Sequence, residues 1–190
     1  MLTDIQKEIE RLPIPINKYR PCSGDGRSQA FGVVNRRCLP PDYSRQCWTR
    51  PYLYKLLLDY GAANVPIPFT SITVNQNYKA EAHRDKGNIG ESFLVAFGDY
   101  TGGELEIHEG PLKGLYDVRT PIVTDFSKIL HSVKDFSGTR YSLVFYTAKK
   151  SEGLPPASVE MQENKYVFLR GGQVCKGLDH PLKNRVKGVS

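Results

Sequence analysis

Hydrophobic side chains at helical spacing mark two segments in the first third of the chain. In the first segment they recur every three or four residues, at Ile5, Ile9 and Leu12. This spacing predicts an amphipathic helix, and Pro13 is its expected end because proline has no amide hydrogen to donate. A second helix is predicted over residues 51–60, with Gly61 as its stop, since glycine favours the position just after a helix. Residues 22–32, rich in glycine and polar side chains, are expected to form a loop.

From about residue 66 to residue 148 the pattern changes to short stretches of β-branched and aromatic residues separated by turns. Strands are predicted over residues 69–78, 92–97, 104–108, 116–119, 122–126, 129–133 and 140–147. Closely spaced strands with no helical pattern between them are typical of an antiparallel sandwich or barrel, including the jelly roll. We therefore predict a mainly β fold with flanking helices, in the α+β class.

The length of 190 residues corresponds to one domain. We expect residues 1–65 to form a helical, basic flank, residues 66–148 the β core, and residues 149–190 a basic appendage with one strand at 166–169. The formal charge of +6 is divided as +4, −2 and +4 over residues 1–60, 61–148 and 149–190. Basic ends raise the rate of encounter with nucleic acid, although a surface that only keeps the protein in solution is the alternative.

Several functional classes are excluded by composition. No apolar run approaches the roughly 20 residues that cross a bilayer, and the first residues carry acidic side chains, unlike a secretory signal. The cysteines form no C-x-x-C pair; they are Cys22, Cys38, Cys47 and Cys175. We expect a reducing interior, cytoplasmic or nuclear, and no membrane partner, with Cys38 and Cys47 as buried thiols.

Two histidines and an aspartate are the first candidates for chemistry. His83 and Asp85 are two residues apart, a spacing that places both side chains on one face of a strand. His131 lies at the start of a later predicted strand. Two histidines and one carboxylate on one face of an octahedron form the facial triad of non-haem Fe(II) oxygenases. A surface turn is the alternative for an isolated His-x-Asp, so the iron hypothesis needs support from further residues.

Arg140 and Ser142 share one face of the last predicted strand of the core. An arginine that points into a β core is costly unless a carboxylate meets it. A guanidinium that pairs with a carboxylate through two hydrogen bonds, with a hydroxyl nearby, suits the far carboxylate of 2-oxoglutarate. The alternative is a structural ion pair with an Asp or Glu side chain.

With these motifs the sequence resembles the 2-oxoglutarate/Fe(II)-dependent dioxygenases over roughly residues 70–147. The motifs are His83-x-Asp85, the distal His131, Arg140-x-Ser142, Asn75-Gln76-Asn77-Tyr78 and Gly102-Gly103-x-Leu105. The resemblance implies a double-stranded β-helix. The implied iron ligands are His83, Asp85 and His131, which with Arg140 form the catalytic set. The implied contacts of 2-oxoglutarate are Arg140, Ser142, Asn75 and Tyr78. The implied reaction uses O2 to hydroxylate a C–H bond, releases succinate and CO2, and is supported by ascorbate.

Within the superfamily, the stretch from Asn75 to Leu105 is similar to the ten-eleven-translocation and J-base-binding branch, with Asn88 and Gly90 soon after the His-x-Asp. This resemblance implies oxidation of the methyl group of a modified pyrimidine such as 5-methylcytosine, with DNA as the favoured nucleic-acid partner. Prolyl 4-hydroxylase-like members often have a lysine where Arg140 stands, which counts modestly against that branch.

The basic flank supplies candidate substrate contacts beside Asn88. Arginines interleaved with aromatic residues suit a surface that holds phosphates and stacks a base, and the candidates are Arg27, Arg36, Arg37 and Trp48. The alternative is that the aromatic residues belong to the core and the arginines coat it. His108 and His180 are expected at the surface, without a chemical role.

Three functions remain open at this point. The first is a nucleic-acid base dioxygenase, and the second is a dioxygenase that hydroxylates a peptide side chain or a small metabolite. The third is a non-enzymatic, cupin-like binding module, which would leave the combination of His83, Asp85, His131 and Arg140 unexplained. The sequence does not fix the oligomeric state.

Overall fold

The computed structural model of the chain describes residues 1–16, 22–23, 26–35, 41–151, 167–170 and 173–176. Its helices are α1 (Leu2–Arg11), α2 (Gln46–Thr49) and α3 (Pro51–Asn64). The strands before residue 110 are β1 (Cys22–Ser23), β2 (Arg27–Val34), β3 (Asp42–Tyr43), β4 (Ser71–Gln76), β5 (Lys79–Ala80), β6 (Asn88–Gly102) and β7 (Leu105–Ile107). The later strands are β8 (Gly114–Tyr116), β9 (Ile122–Thr124), β10 (His131–Val133), β11 (Phe136–Ala148), β12 (Val167–Arg170) and β13 (Gln173–Lys176).

Two antiparallel sheets form the body of the fold. The major sheet has six strands in the order β3-β2-β4-β11-β6-β9, and the minor sheet has three in the order β10-β7-β8. Strand β1 pairs with β5, and β12 pairs with β13. Antiparallel sheets with few helices confirm the predicted mainly β, α+β class and its jelly-roll architecture.

Strands β6 and β11 separate two hydrophobic clusters, because their side chains alternate between two faces. On one face Phe93 and Phe145 join a cluster that includes Ile5 of α1 and Leu57 of α3. On the opposite face, residues such as Leu94 belong to a second cluster with the minor sheet. The helices therefore cover one face of the major sheet, and the other face is available to build a site between the sheets.

Helix α3 passes through Gly61 and continues to Asn64, so the predicted stop at Gly61 is wrong. A Cβ at Gly61 would lie 2.6 Å from Cζ of Phe69 and 3.0 Å from Cε1 of Phe145. Glycine is needed here because the helix approaches the aromatic core closely, which a helix-end signal in the sequence does not distinguish.

The segment predicted as a loop over residues 22–32 contains strand β2, which lies between β3 and β4 in the major sheet. Its buried side chains alternate as a strand requires, with Phe31 and Val33 on the helix-covered face. The glycine and arginine residues within 22–32 favour a loop prediction, so the alternation was not recognised. Strands β6 and β11 are also longer than predicted, since they span Asn88–Gly102 and Phe136–Ala148.

In the C-terminal part the predicted strand at residues 166–169 corresponds to β12, at Val167–Arg170. Arg36, Arg37, Cys38 and His180 lie outside the described residues. Across the part of the chain that the structure describes, no helix has both the length and the apolar character needed to cross a bilayer.

Candidate metal centre and its cavities

His83 and His131 face each other across a short antiparallel bridge. The His83 amide donates to the His131 carbonyl oxygen at 2.9 Å, and the His131 amide donates to the His83 carbonyl oxygen at 3.0 Å. This double hydrogen bond places the two imidazoles side by side, with ring centroids 4.4 Å apart. Backbone pairing between distant parts of the chain therefore brings the two histidines together.

Each imidazole is oriented by a backbone carbonyl two residues before it. Nδ1 of His83 lies 2.7 Å from the carbonyl oxygen of Glu81. Nδ1 of His131 lies 2.9 Å from the carbonyl oxygen of Ile129. Because a carbonyl oxygen only accepts hydrogen bonds, Nδ1 of each ring carries the proton and Nε2 keeps its lone pair. Both rings are thus in the tautomer that coordinates a metal through Nε2.

Asp85 lies in the loop after His83 and not on a strand, so the expectation of a shared strand face is wrong. A hydrogen bond from its amide to the Phe126 carbonyl oxygen, at 3.0 Å, brings it beside the histidines instead. Its Oδ1 is 3.3 Å from Nε2 of His83, and its Oδ2 accepts a hydrogen bond from Nδ2 of Asn88 at 3.2 Å. Oδ2 of Asp85 is therefore fixed by the Asn88 side chain, while Oδ1 faces the His83 imidazole.

Ligand atoms of His83, Asp85 and His131 all lie within 4.8 Å of one another. Among the described residues, these three are the set of histidine, cysteine and acidic side chains that could hold a metal ion. His131 is buried, and burial lowers the pKa of its imidazole. A lowered pKa favours the neutral ring, which is the form that binds a metal. Two imidazole nitrogens and one carboxylate oxygen fit Fe(II) by their chemistry.

Arg140 of β11 points into the interior and is 2% exposed. The rings of Tyr100 and Phe136 flank its guanidinium, with centroids 5.5 and 5.8 Å from Cζ. Burial lowers the pKa of the guanidinium, but arginine titrates at so high a pH that the charge remains. In the described part of the chain no carboxylate is within ion-pair distance, and Nε has no hydrogen-bond partner. The arginine is therefore not in a structural ion pair there, and a bound anion would supply its missing partner.

The surroundings of Arg140 hold it in place. Its amide donates to Oδ1 of Asn77 at 2.9 Å, and the Asn77 amide donates to the Arg140 carbonyl oxygen at 2.7 Å. Asn77 has a positive φ of 50°, which asparagine tolerates better than most residues. A Cβ at Gly103 would lie 2.9 Å from Cδ of Arg140, so glycine leaves room for the arginine stem.

Asn75 and Ser142 lie opposite each other on β4 and β11. Nδ2 of Asn75 donates to Oγ of Ser142 at 3.2 Å, and the buried Oδ1 of Asn75 has no hydrogen-bond partner within the described part of the chain. The strand alternation that placed Arg140 and Ser142 on one face is confirmed by the cavity that both of them line. Ser142 accepts the Asn75 bond and keeps its own hydroxyl proton to donate. This donor and the Arg140 guanidinium line the same cavity, which suits a small polar anion.

A cavity of about 100 Å³ is lined by the three side chains that could hold a metal ion and by Arg140. Its walls contain every residue predicted to hold metal or cosubstrate, namely His83, Asp85, His131, Arg140, Ser142, Asn75 and Tyr78. Leu94, Leu105, Val133 and Val144 contribute apolar wall. We call this the inner cavity.

A larger cavity of about 570 Å³ adjoins the same residues and is called the outer cavity. It is lined by Ala30 and Val34 of β2, by Asn35, by residues 81–88, and by aromatic and small side chains at Tyr78, Tyr146 and Ala148. His83 and Asp85 line both cavities, so a molecule in the outer cavity would meet these two side chains.

Tyr146 is a cavity residue that sequence analysis did not select. It lines both cavities, and its hydroxyl accepts a hydrogen bond from Oγ1 of Thr73 at 3.4 Å. The signal was present, because Tyr146 continues the every-second-residue series that starts at Arg140. Extending the alternation to the end of β11 would have identified it.

The structure places Arg27 away from both cavities. Arg27 shares a face of β2 with Phe31, which packs in the helix-covered cluster, and its Nη1 donates to the Ile14 carbonyl oxygen at 2.7 Å. This contact attaches the guanidinium to the N-terminal backbone, and the substrate role of Arg27 stays a prediction.

The other substrate candidates have different outcomes. Trp48 packs against the helix-covered cluster, as the core alternative expected, and it does not line the inner or outer cavity that the described residues form. Asn88 lines both cavities while it also bonds to Asp85. Arg36 and Arg37 lie outside the described residues, so their substrate role stays a prediction.

No protein-family model and no curated protein matches the sequence. Among solved structures, NgTET1 in complex with 5mC DNA is similar over 85% of this chain and 76% of that chain, with a TM-score of 0.55 and 15% identity. A 2OG-Fe(II) oxygenase family oxidoreductase from Burkholderia pseudomallei is similar over 76% of each chain, with a TM-score of 0.53 and 19% identity. The chain therefore has the fold of the 2-oxoglutarate/Fe(II) oxygenases, as the sequence resemblance implied.

Proposed function

We propose that this chain is an Fe(II)- and 2-oxoglutarate-dependent dioxygenase that hydroxylates a C–H bond. The proposal is supported by one inner cavity, whose lining includes three side chains that could hold a metal ion and a buried arginine that has no carboxylate partner among the described residues. His83, Asp85 and His131 would hold the iron. Arg140 and Ser142 would hold the far carboxylate of 2-oxoglutarate, with Asn75 and Tyr78 beside it. When bound, Fe(II), 2-oxoglutarate and O2 together supply the oxidant for the C–H bond and yield succinate and CO2.

The protein's own contribution is orientation and exclusion of water. The two carbonyl acceptors keep each Nε2 aimed at the cavity, and Asn88 restrains one oxygen of Asp85. Apolar walls lower the local dielectric constant, which strengthens the attraction between a guanidinium and a carboxylate. A cupin-like binding module would leave unexplained a buried arginine that has no carboxylate partner among the described residues.

For the substrate we favour the methyl group of a modified pyrimidine in nucleic acid, with DNA preferred. The outer cavity has a volume within the usual range for small-molecule sites, and a base taken out of its helix would enter such a pocket. Tyr78 and Tyr146 line it, and the chain carries a formal charge of +6. NgTET1, whose fold this chain shares, was solved in complex with 5mC DNA.

Hydroxylation of a peptide side chain or a small metabolite is the second candidate. It is favoured by the charges that line the outer cavity, where Arg84 and Lys86 are balanced by Glu81 and Asp85, so this lining offers no net positive charge for phosphates. The iron and cosubstrate residues serve both candidates equally, so only the substrate distinguishes them.

The test is incubation with Fe(II), 2-oxoglutarate, ascorbate and O2 against panels of methylated oligonucleotides and of peptides. We expect a mass gain of one oxygen on a methylated oligonucleotide, together with succinate formation. His131→Ala should abolish both products, because one ligand of the iron is lost. His108→Ala is the matched control, since His108 bonds to Ser132 outside the triad, and it should leave turnover intact.

Each outcome bears on a different part of the proposal. Oxygen gain on peptides alone would overturn the nucleic-acid assignment in favour of the second candidate. Unchanged turnover in His131→Ala would remove that residue from the iron ligands. Absence of salt-dependent binding to DNA would also count against a nucleic-acid substrate, since phosphate contacts release counterions.

A further inference from the structure

Glu109, two residues after the end of β7, contacts both stretches of chain that carry the ligating side chains. We call residues 83–85 the first ligand segment and residues 126–131 the second. A single oxygen of Glu109, Oε1, accepts hydrogen bonds from the Arg84 guanidinium and from the Leu130 amide, the latter at 3.0 Å. Arg84 is the middle residue of the first segment, and Leu130 is the penultimate residue of the second.

Arg84 also reaches the second ligand segment directly. Its Nε donates to the Lys128 carbonyl oxygen at 3.0 Å, while its Nη2 contacts Glu109. The hairpin that carries Glu109 is itself attached at its base, because the His108 amide donates to the Leu130 carbonyl oxygen at 3.0 Å. Arg84 and Glu109 therefore form a clamp across the outer side of the two segments, in addition to the backbone bridge between them.

We propose that Glu109 is a positioning residue for the metal centre and acts together with Arg84. The pair limits how far the two ligand segments move relative to each other, and so keeps His131 at a fixed distance from the first segment. This inference rests on the proposed function, since it takes the three clustered side chains to be the ligands of the iron.

The clamp should affect metal affinity more than folding. The side chains of Arg84 and Glu109 are 39% and 42% exposed, and exposed ion pairs contribute little to the stability of a fold. Metal affinity is more sensitive, because groups that orient the ligands typically change it by about 10- to 100-fold when removed. A selective loss of affinity with an intact fold is therefore the signature of the clamp.

The test compares Glu109→Ala with Glu106→Ala in the whole chain. Glu106 is a matched control, because it is a partly exposed glutamate of β7 whose carboxylate pairs with Lys134 and lies 4.0 Å from Nε2 of His108. Among the described residues it forms no ion pair with either ligand segment. Binding of Mn(II) alone is measured by calorimetry for each protein, and thermal unfolding is measured without metal. We expect Mn(II) to bind Glu109→Ala about tenfold more weakly, Glu106→Ala to match the wild type, and both unfolding midpoints to shift by about 2 °C or less.

Arg84→Met provides a second route to the same conclusion if Glu109→Ala does not fold. It removes both hydrogen bonds of the guanidinium and should weaken Mn(II) binding to a similar extent. In a double variant the two losses should not add, because either change opens the same clamp.

The outcomes separate the two proposals. No Mn(II) binding by the wild-type chain would contradict the metal centre and with it the proposed function. Wild-type binding with equal affinity in Glu109→Ala and Arg84→Met would overturn the clamp alone. Equal weakening in Glu109→Ala and Glu106→Ala would also overturn it, since the cause would then be the general loss of negative charge.

Discussion

Two opposing free-energy terms act on the Arg140 side chain. Burying its positive charge is unfavourable, and binding an anion beside it would be favourable. The residue is 2% exposed, and its Nε has no hydrogen-bond partner among the residues that the structure describes. Tyr100 and Phe136 hold the planar group by their rings, which favours a guanidinium over an ammonium. A carboxylate from the cosubstrate would offset the burial cost, so affinity for 2-oxoglutarate should depend on the shape of the cation as well as on its charge.

Replacing Arg140 by Lys tests this dependence. Lysine keeps the charge but loses the paired, planar hydrogen bonds, each of which contributes about 1.5–3 kcal/mol when it involves charged groups. We expect 2-oxoglutarate to bind about 10- to 100-fold more weakly, while Mn(II) affinity changes little. Calorimetry with Mn(II) present and O2 excluded measures the first, and Mn(II) titration measures the second. Equal loss of both affinities would mean that the substitution disturbed the metal ligands.

The thiol of Cys47 is a titratable group that is buried in the core. The thiol is buried, its sulfur accepts a hydrogen bond from the Gly32 amide at 3.1 Å, and burial raises its pKa to about 12. Because only the thiolate reacts, about one molecule in ten thousand is reactive near pH 8. We expect iodoacetamide to modify Cys47 only after unfolding in urea, as measured by mass spectrometry of the Cys47 peptide. Equal labelling of native and unfolded protein would contradict the buried position.

At the scale of elements, strand alternation was the most informative property of the sequence. The period of two over β11 predicts that Arg140 and Ser142 share one face, and both line the inner cavity. Alternation predicts well here because a shift of the strand register by one residue would turn the arginine side chain into the helix-covered core. The convergence of His83 and Asp85 with His131 came instead from the family resemblance, since backbone bonds between distant segments have no local signature.

Elements whose form depends on distant contacts could not be predicted. Strand β2 contains Arg27 and Gly32, and its strand form is stabilised by pairing with β4. Gly61 resembles a helix end in sequence, whereas its function is to let α3 approach Phe69 and Phe145. In both cases the local sequence favours one backbone structure, a loop or a helix end, and tertiary packing stabilises another.

Gly61→Ala tests the helix–sheet approach. Alanine favours a helix by about 1 kcal/mol over glycine, so an exposed site would gain stability. Here the added methyl meets Phe69 and Phe145, and overpacking costs typically about 1–3 kcal/mol. We expect a net loss of unfolding free energy, measured by urea denaturation. Combining Gly61→Ala with Phe69→Leu, which makes room, should cost less than the sum of the two single changes; strict additivity would refute the steric explanation.

In the whole molecule, the helices and the site lie on opposite faces of the major sheet. Residues of β6 and β11 contact α1 and α3 on one face and line the second cluster and the inner cavity on the other. The sheet therefore connects the packing of the helices to the geometry of the site. A ligand that joins His83 and Asp85 to His131 and Arg140 would link the major sheet to the minor sheet as well.

Ligand binding should for this reason stabilise the whole fold. A ligand present at about 100 times its dissociation constant adds about 2.7 kcal/mol to the unfolding free energy, and about 1 kcal/mol corresponds to 2–4 °C for a chain of this size. We expect Mn(II) with 2-oxoglutarate to raise the unfolding midpoint by about 5–10 °C, and EDTA to reverse the increase. Asp85→Asn should lose the increase because the amide is a poor substitute for the anionic ligand, whereas Asp135→Asn, whose carboxylate pairs with Lys79 at the surface, should retain it. An increase of the same size in Asp85→Asn would show that the metal binds elsewhere.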